Sequence, residues 1–309
     1  LFVSAYGFTL GIIDQPNSRS SHSRPTPKWG GAGILVAFML AAGWLGMPPL
    51  FWVPTVVLSG VSFLGDRVKL SPGLRLVVQI AAAAATLGTI VGAFPQALCS
   101  RGEWLFVGLP LAAFYVVATA NIYNFMDGIN GIAGITGAIA FGLLALTGGL
   151  LGEANAWVVL AVALSAGCAG FLPLNFPRAR VLMGDVGSVL LGFVFALYAV
   201  AWSRTLADFL LFASFLFPFY LDEAVTLVPR LREGNSLTRP HRRHVYQILV
   251  NQMGIPHWRI SLLYGTVQLI VALGSLCFRF WGWQAEALWL AAMCGLGVGL
   301  ATWVRRREC

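Results

Sequence analysis

Residues 186–203 read VGSVLLGFVFALYAVAWS, and none of these residues is charged. A helix that crosses the hydrocarbon layer of a membrane needs about 20 consecutive, predominantly apolar residues. A segment in lipid must also satisfy its own backbone hydrogen bonds, which an α-helix does internally. This stretch therefore predicts a membrane-spanning helix.

Apolar runs of similar length lie on both sides of this stretch. They lie near residues 31–47, 50–65, 73–94, 104–122, 131–151, 156–175, 207–228, 258–278 and 283–304. A further run at residues 1–12 is too short to span, and we expect it to be part of a truncated first helix. The sequence thus predicts one domain, residues 1–309, with an all-α fold: a polytopic transmembrane bundle of about 10–11 helices.

The composition of the whole chain agrees with a membrane protein. Of its 309 residues, 58% are hydrophobic and only 10% are charged, and the mean hydropathy is +0.78. Soluble domains carry about 25% charged residues, and lipid accepts apolar surface that water does not. The net charge of +8 could indicate nucleic acid as a partner, but the basic residues lie in short loops and form no continuous patch. We expect no nucleic-acid partner.

The basic residues orient the bundle. Of the 20 lysine and arginine residues, 17 lie in one set of alternating connections, at residues 19–28, 67–75, 178–180, 230–259 and 305–307. The other set contains only Arg101, Arg204 and Arg279. Because lysine and arginine are retained on the cytoplasmic side of membrane proteins, the first set is predicted to face the cytoplasm.

Five aspartates lie at or near helix ends on this predicted cytoplasmic side: Asp14, Asp66, Asp127, Asp185 and Asp222. Each charge within a membrane costs about 2.5–3.5 kcal/mol, so several acids near one membrane face indicate a shared polar site with water or a cation. The alternative is that single acids pair with neighbouring arginines. That alternative fits Asp14 and Asp222 better than Asp127 or Asp185, which have apolar or glycine neighbours.

The segment N-I-Y-N-F-M-D-G-I-N-G at residues 121–131 carries polar residues at steps of three. Residues three apart are neighbours on a helix surface, so Asn124, Asp127 and Asn130 could offer a carboxylate and amides to a nucleotide or metal from one helix end. A polar seam between helices is the alternative interpretation.

The segment M-G-D-V-G-S at residues 183–188 precedes a predicted helix. Free N–H groups and the dipole at a helix start favour phosphate, and glycine allows a ligand to approach the backbone. Asp185 would repel a bare phosphate but suits a Mg²⁺ ion, which carboxylates and substrate phosphates hold together. A simple N-terminal cap is the equally weighted alternative.

Two basic segments lie on the same predicted side. Residues 239–247, R-P-H-R-R-H-V-Y-Q, combine arginine, which binds phosphate through two parallel donors, with two histidines. The loop from Asp14 to Gly31 is rich in proline and basic residues. A loop that only sets the topology is the alternative for both, although histidine has little effect on orientation.

These ordered motifs resemble the superfamily of polyprenyl-phosphate N-acetylhexosamine-1-phosphate transferases, which includes phospho-N-acetylmuramoyl-pentapeptide transferase. The resemblance runs through D-x-P-N-x-R-x-x-H, P-T-P-x-x-G-G, N-x-x-N-F-M-D-G-I-N-G, M-G-D-V-G-S and H-R-R-H-V-Y-Q. The last motif is more similar to the branch that initiates O-antigen and related surface polysaccharides than to the peptidoglycan branch.

The resemblance implies a bacterial inner-membrane enzyme with its active site facing the cytoplasm. It implies transfer of N-acetylhexosamine 1-phosphate from a UDP-N-acetylhexosamine to undecaprenyl phosphate, with UMP as the second product. The implied cofactor is Mg²⁺, with Mn²⁺ as an alternative, and a homodimer is compatible with it. The specific sugar is left open.

The resemblance also assigns roles to residues of this chain. Asp185 would be the main metal ligand, Asp127 a catalytic carboxylate on the metal side, and Asp66 the catalytic residue that orients or deprotonates the acceptor. Three asparagines would contact the nucleotide: Asn124, Asn130 and Asn175. Four side chains would contact phosphate groups: Lys28, His241, Arg242 and His244.

The chain departs from the family pattern at three positions. Relatives commonly carry paired aspartates where residues 63–67 read F-L-G-D-R, so only Asp66 remains. The second aspartate of the D-G-x-D-G segment is Asn130, and Leu182 stands where relatives can carry an aromatic residue. We favour direct attack by the lipid phosphate, with a covalent aspartyl intermediate as the alternative. A transporter or lipid flippase and an inactive scaffold are the rival functions; transporter sites lie near the membrane midplane, often between repeats.

Overall fold

The computed structural model describes residues 13–15, 25–68, 70–94, 96–97, 105–232 and 244–307, apart from the side chains at positions 66, 67, 105 and 232. This part of the chain forms two short antiparallel strands, β1 (Ile13–Asp14) and β2 (Thr26–Pro27), and is otherwise helical. Its helices are α1 (Gly31–Trp44), α2 (Pro49–Val68), α3 (Pro72–Ala93), α4 (Leu105–Met126), α5 (Ile132–Leu151), α6 (Asn155–Asn175), α7 (Asp185–Trp202), α8 (Leu206–Ser214), α9 (Phe217–Arg232), α10 (Val245–Asn251), α11 (His257–Arg279) and α12 (Trp283–Arg306).

The helices confirm the predicted all-α membrane bundle. Within the described residues, 7 helices are long and apolar enough to cross a membrane, or 8 if the bent pair α8 and α9 is counted as one span. The apolar helices α1 and α2 are shorter and correspond to the predicted spans at 31–47 and 50–65. The run at residues 1–12, predicted to be part of a truncated helix, lies outside the described residues.

The predicted span at 207–228 is bent rather than straight. α8 and α9 meet at an angle of 91°, with the break at Phe215 and Leu216. Pro218 has no N–H to continue the helical hydrogen bonding, which accounts for a break immediately before it. The carbonyl group of Phe215 instead accepts a hydrogen bond of 2.7 Å from the buried amide of Gln268, on α11. This bond is needed because lipid supplies no donor.

α7 lies at the centre of the bundle, and nearly all its residues are buried. Small residues let neighbouring backbones approach it closely. A Cβ added at Gly192 would lie 2.7 Å from the carbonyl oxygen of Thr119 on α4, and one added at Gly31 on α1 would overlap Gly187. The first residue of α7, Asp185, is therefore held in the middle of one end of the bundle.

The opposite end of the bundle carries a set of ion pairs. Arg279, at the end of α11, contacts the carboxylates of Asp208 on α8 and Glu286 on α12. Arg204 contacts Glu153 at 2.9 Å. The two arginines were predicted to lie on the outer side, and the structure pairs both of them with acidic residues.

Candidate active site

Asp185 joins three helices at the predicted cytoplasmic end. Its Oδ2 accepts a hydrogen bond of 2.8 Å from Nη1 of Arg75 on α3. Its Oδ1 accepts one of 2.9 Å from Nδ2 of Asn124 on α4, and the same nitrogen lies 2.9 Å from the hydroxyl group of Ser188. The segments 121–131 and 183–188, which the sequence placed in one site, are therefore in direct contact.

The loop before α1 is bound to the segment before α7 through backbone groups. The N–H of Gly30 donates to the carbonyl of Leu182 at 2.9 Å, and the N–H of Gly31 donates to that of Met183 at 2.9 Å. A side chain at Gly31 would overlap the backbone of Gly187, so this approach requires glycine. Lys28, half-buried, lies in this loop. The structure thus brings the predicted first-loop phosphate contact to the start of α7.

Trp29 fastens the same loop to α2. Its backbone has a φ of 82°, a conformation that is strained for a bulky residue, and its side chain is 3% exposed. The ring packs on Phe63 with 3.9 Å between ring centroids. Asp66 follows Phe63 by one helical turn at the end of α2, and its side chain lies outside the described residues. The backbone that carries Asp66 is therefore at the same end of the bundle as Asp185.

Arg75 connects that end of α2 with Asp185. A Cβ built on Gly65, the residue before Asp66, would lie 2.7 Å from Nη2 of Arg75. The guanidinium group therefore rests on the backbone of α2 while its Nη1 binds Asp185. The sequence indicated Arg75 only as a topology-setting charge, so its place in the site was missed.

Asp127 contributes a second carboxylate in the turn after α4, where it is half-buried. Burial, followed by the negative charge of Asp185, raises the pKa of Asp127 well above its usual range. A carboxylate whose negative charge is destabilised by a neighbouring carboxylate lies at a favourable place for a cation. Mg²⁺ is usually held by one or two carboxylates together with water and substrate phosphates.

The donor set fits Mg²⁺ better than a metal that requires several protein ligands. Among the residues that the structure describes, no group of three or more His, Cys, Asp or Glu side chains could hold a metal ion. Zinc sites usually take three or four such ligands, whereas magnesium relies on its substrate's phosphates. The pair Asp127 and Asp185 is consistent with the second case.

Asn130 and Asn175 are bound mainly to the protein itself. The amide of Asn175, which is 5% exposed, accepts from the N–H of Gly131 at 2.6 Å and donates to the carbonyl of Val181 at 2.8 Å. The backbone carbonyl of Asn130 accepts from the hydroxyl of Ser261 at 2.7 Å. Asn175 thus ties the loops before α5 and α7 together, and its nucleotide contact stays a prediction.

His244 faces acidic residues of α9, and its predicted contact with the diphosphate stays a prediction. Its side chain is 4% exposed, with Nδ1 3.5 Å from Asp222 and Nε2 3.8 Å from Glu223 on α9. Both ring nitrogens therefore face carboxylates of the protein. His241 and Arg242 lie outside the described residues. The sequence suggested that Asp222 pairs with a neighbouring arginine, but its carboxylate instead accepts hydrogen bonds from the start of α10.

The chain is similar in sequence, along most of its length, to several proteins that are named for an enzymatic activity. The profile of glycosyl transferase family 4 matches residues 49–203. Decaprenyl-phosphate N-acetylglucosaminephosphotransferase of Mycobacterium tuberculosis (strain ATCC 25618 / H37Rv) is 30% identical over 96% of this chain and 83% of its own. Phospho-N-acetylmuramoyl-pentapeptide-transferase of Synechococcus sp. (strain JA-2-3B'a(2-13)) is 30% identical over 88% and 84%, respectively. Probable undecaprenyl-phosphate N-acetylglucosaminyl 1-phosphate transferase of Bacillus subtilis (strain 168) is 24% identical over 94% and 82%.

Proposed function

The chain belongs to glycosyl transferase family 4, and we propose that it transfers N-acetylhexosamine 1-phosphate from a UDP-sugar to undecaprenyl phosphate, releasing UMP. The observation that carries this proposal is the meeting of Asp185, Asn124 and Arg75 at one end of the bundle, with Asp127 nearby. Relatives named for transfer to decaprenyl or undecaprenyl phosphate support the acceptor class.

The proposed reaction is a single displacement at phosphorus. An oxygen of the lipid phosphate attacks the phosphorus that carries the sugar, and the bond from that phosphorus to the bridging oxygen breaks. The electron pair of that bond leaves with UMP. The second pKa of a phosphate monoester is about 6, so the acceptor is mostly dianionic at neutral pH and needs little deprotonation. Catalysis therefore depends chiefly on positioning and on positive charge around the phosphates.

The residues of the site divide these tasks. Mg²⁺, held by Asp185 and Asp127, would neutralise negative charge on the diphosphate. Asn124 holds the Asp185 carboxylate in place through its amide. Arg75 offers a guanidinium group, a strong partner for phosphate oxygens, in the same position. Asp66 would orient the acceptor.

Further phosphate contacts are assigned to the two basic segments. Lys28 lies in the loop that docks on the start of α7, and its ammonium group suits one of the phosphates. His241 and Arg242 belong to the segment that leads into α10 and would hold the diphosphate. Together they would surround the reacting groups with positive charge.

The membrane orientation follows from charge. By the predicted topology, 17 of the 20 lysine and arginine residues lie at the end of the bundle that carries the site. This bias supports a site open to the cytoplasm, where UDP-sugars are made, in the inner membrane of a bacterium. In this setting the product would initiate a surface polysaccharide or another cell-envelope glycan.

The direct test is an assay with purified protein, undecaprenyl phosphate and a panel of UDP-N-acetylhexosamines, scored for UMP and for lipid product with Mg²⁺ and with EDTA. We expect product from at least one sugar, with Mg²⁺ only, and loss of activity in Asp185→Ala. Glu153→Gln, which removes an ion pair at the opposite end, serves as the matched control and keeps its activity. Absence of product from every sugar would refute the proposal.

A further inference from the structure

We propose that Asp222 is a positioning residue for this reaction: it holds the start of α10 against the turn that carries Asp127. The inference rests on the proposed function for its chemistry. It rests on a separate set of contacts for its geometry, since Asp222 belongs to α9 and lies outside the group formed by Asp185, Asn124 and Arg75.

The carboxylate of Asp222 is buried among hydrogen-bond donors. Oδ1 accepts from the N–H of Val245 at 2.8 Å and from the hydroxyl of Thr226 at 3.2 Å. Oδ2 accepts from the N–H of Tyr246 at 3.1 Å and from the hydroxyl of Tyr264 at 2.6 Å. The first N–H groups of a helix have no partner within it, so this carboxylate satisfies two of those of α10. A carboxylate can accept all four of these hydrogen bonds. The NH₂ group of an amide at this position would instead face N–H and O–H donors.

The side chain of Tyr246 connects α10 with the turn after α4. Its hydroxyl donates to the carbonyl of Phe125 at 3.0 Å. A Cβ built on Gly128 would overlap the same hydroxyl group, so the tyrosine occupies the space above that glycine. Asp127 lies between these two points of contact. A shift of α10 therefore changes the support of the turn that presents the Asp127 carboxylate.

His244, the residue before α10, also lies against Asp222. It is the residue directly after positions 241–243, and it is 4% exposed with its Nδ1 3.5 Å from Asp222. Asp222 thus contacts the residue before α10 as well as the first two residues of that helix.

The last turn of α12 supports the same carboxylate from the other side. Nη2 of Arg305 donates to the hydroxyl of Thr226 at 3.0 Å, and that hydroxyl donates to Asp222. Asp222 is thus held by its own helix, by α10, by α11 and indirectly by α12. Its orientation is determined by the surrounding protein, as a positioning role requires.

Asp222→Asn tests the proposal with almost no change in size. We expect the KM of the UDP-sugar to rise and kcat to fall, so that kcat/KM drops about 100-fold, because small displacements of aligned groups have effects of this size. The KM of undecaprenyl phosphate stays within about twofold of the wild type, since Asp127 is assigned to the metal that would neutralise the donor's diphosphate. Asp222→Glu, which restores a carboxylate, recovers part of the lost activity.

Glu286→Gln is the matched control. Glu286 is also a buried carboxylate, 1% exposed and bound to Arg279 at 3.3 Å, but it lies at the opposite end of the bundle. We expect this variant to lower the melting temperature and to leave both KM values and kcat within about twofold. A purely structural role for Asp222 predicts the same pattern for Asp222→Asn, and that result would overturn the proposal.

Two further measurements test the proposal independently of the kinetics of Asp222→Asn. If Asp222→Asn does not fold, Tyr246→Phe removes only the hydroxyl group that reaches Phe125, and unchanged kinetic constants in that variant would contradict the proposed coupling. Hydrogen exchange at the backbone amides of Val245 and Tyr246 tests the geometry without the reaction and is expected to become faster in Asp222→Asn. An inactive wild type with this faster exchange would refute the proposed function alone.

Discussion

Replacing Arg75 by glutamine is expected to separate two effects that most site variants combine. The guanidinium group binds Asp185 at 2.8 Å, and the two side chains are 34% and 26% exposed, so solvent screens the pair and it is worth about 1 kcal/mol. A Mg²⁺ ion at Asp185 competes with this positive charge. Removing the charge should therefore tighten Mg²⁺ binding by about fivefold, since each 1.4 kcal/mol corresponds to tenfold in affinity.

The same substitution should slow the reaction. Arg75 is placed to contact phosphate oxygens, and the loss of one such electrostatic contact lowers kcat by about 100-fold or more. Mg²⁺ binding is measured by thermal shift of the protein alone, and kcat by UMP release at saturating Mg²⁺. Arg204→Gln breaks the ion pair with Glu153 at the other end and should change neither quantity. Weaker Mg²⁺ binding in Arg75→Gln would refute this reasoning.

Three further substitutions test the supporting structure. Gly31→Ala places a methyl group against the backbone of α7 and should lower the free energy of unfolding by about 1–3 kcal/mol and remove most of the activity. Gly33→Ala, which has open space around it, is the control and should change neither. Melting temperature and UMP release measure the two effects. Asn124→Ala removes a hydrogen bond to Asp185 and should lower kcat about 10- to 100-fold in the UMP assay, with little change in melting temperature. Gln268→Ala leaves buried carbonyl groups without a donor and should lower the unfolding free energy by about 1–3 kcal/mol without changing the KM values.

The positions of the helices could be predicted because a helix in contact with lipid must be apolar along its length, and a run of apolar residues is visible in the sequence. Every apolar run from residue 31 onward corresponds to a helix or to the bent pair α8 and α9. The bend itself was missed, since mainly apolar residues flank Phe215 on both sides and hydropathy carries no information about the direction of a helix. Pro218 was the available signal, but a proline near a helix end also fits a straight span.

The site could be predicted only where neighbouring residues form a motif. Asn124 and Asp185 were assigned to one site from their separate motifs, and the structure brings them into contact. Arg75 is 110 residues from Asp185 in sequence, and its position among topology-setting charges already explained its presence. For His244, composition indicated a phosphate contact, but only the packing of α9 shows that its ring faces two carboxylates.

The distribution of charge explains why chemistry on phosphates belongs at one end of this bundle. By the predicted topology, the outer end carries 3 basic and 4 acidic residues, and the site end carries 17 basic and 8 acidic residues. The described outer charges are paired with one another: Arg204 with Glu153, and Arg279 with Asp208 and Glu286. Because these charges are paired, the outer end has little positive electrostatic potential that could attract an anion. At the site end the acids are outnumbered, and Asp222 is occupied with backbone and hydroxyl donors, so a net positive field remains for a lipid phosphate and a nucleotide diphosphate.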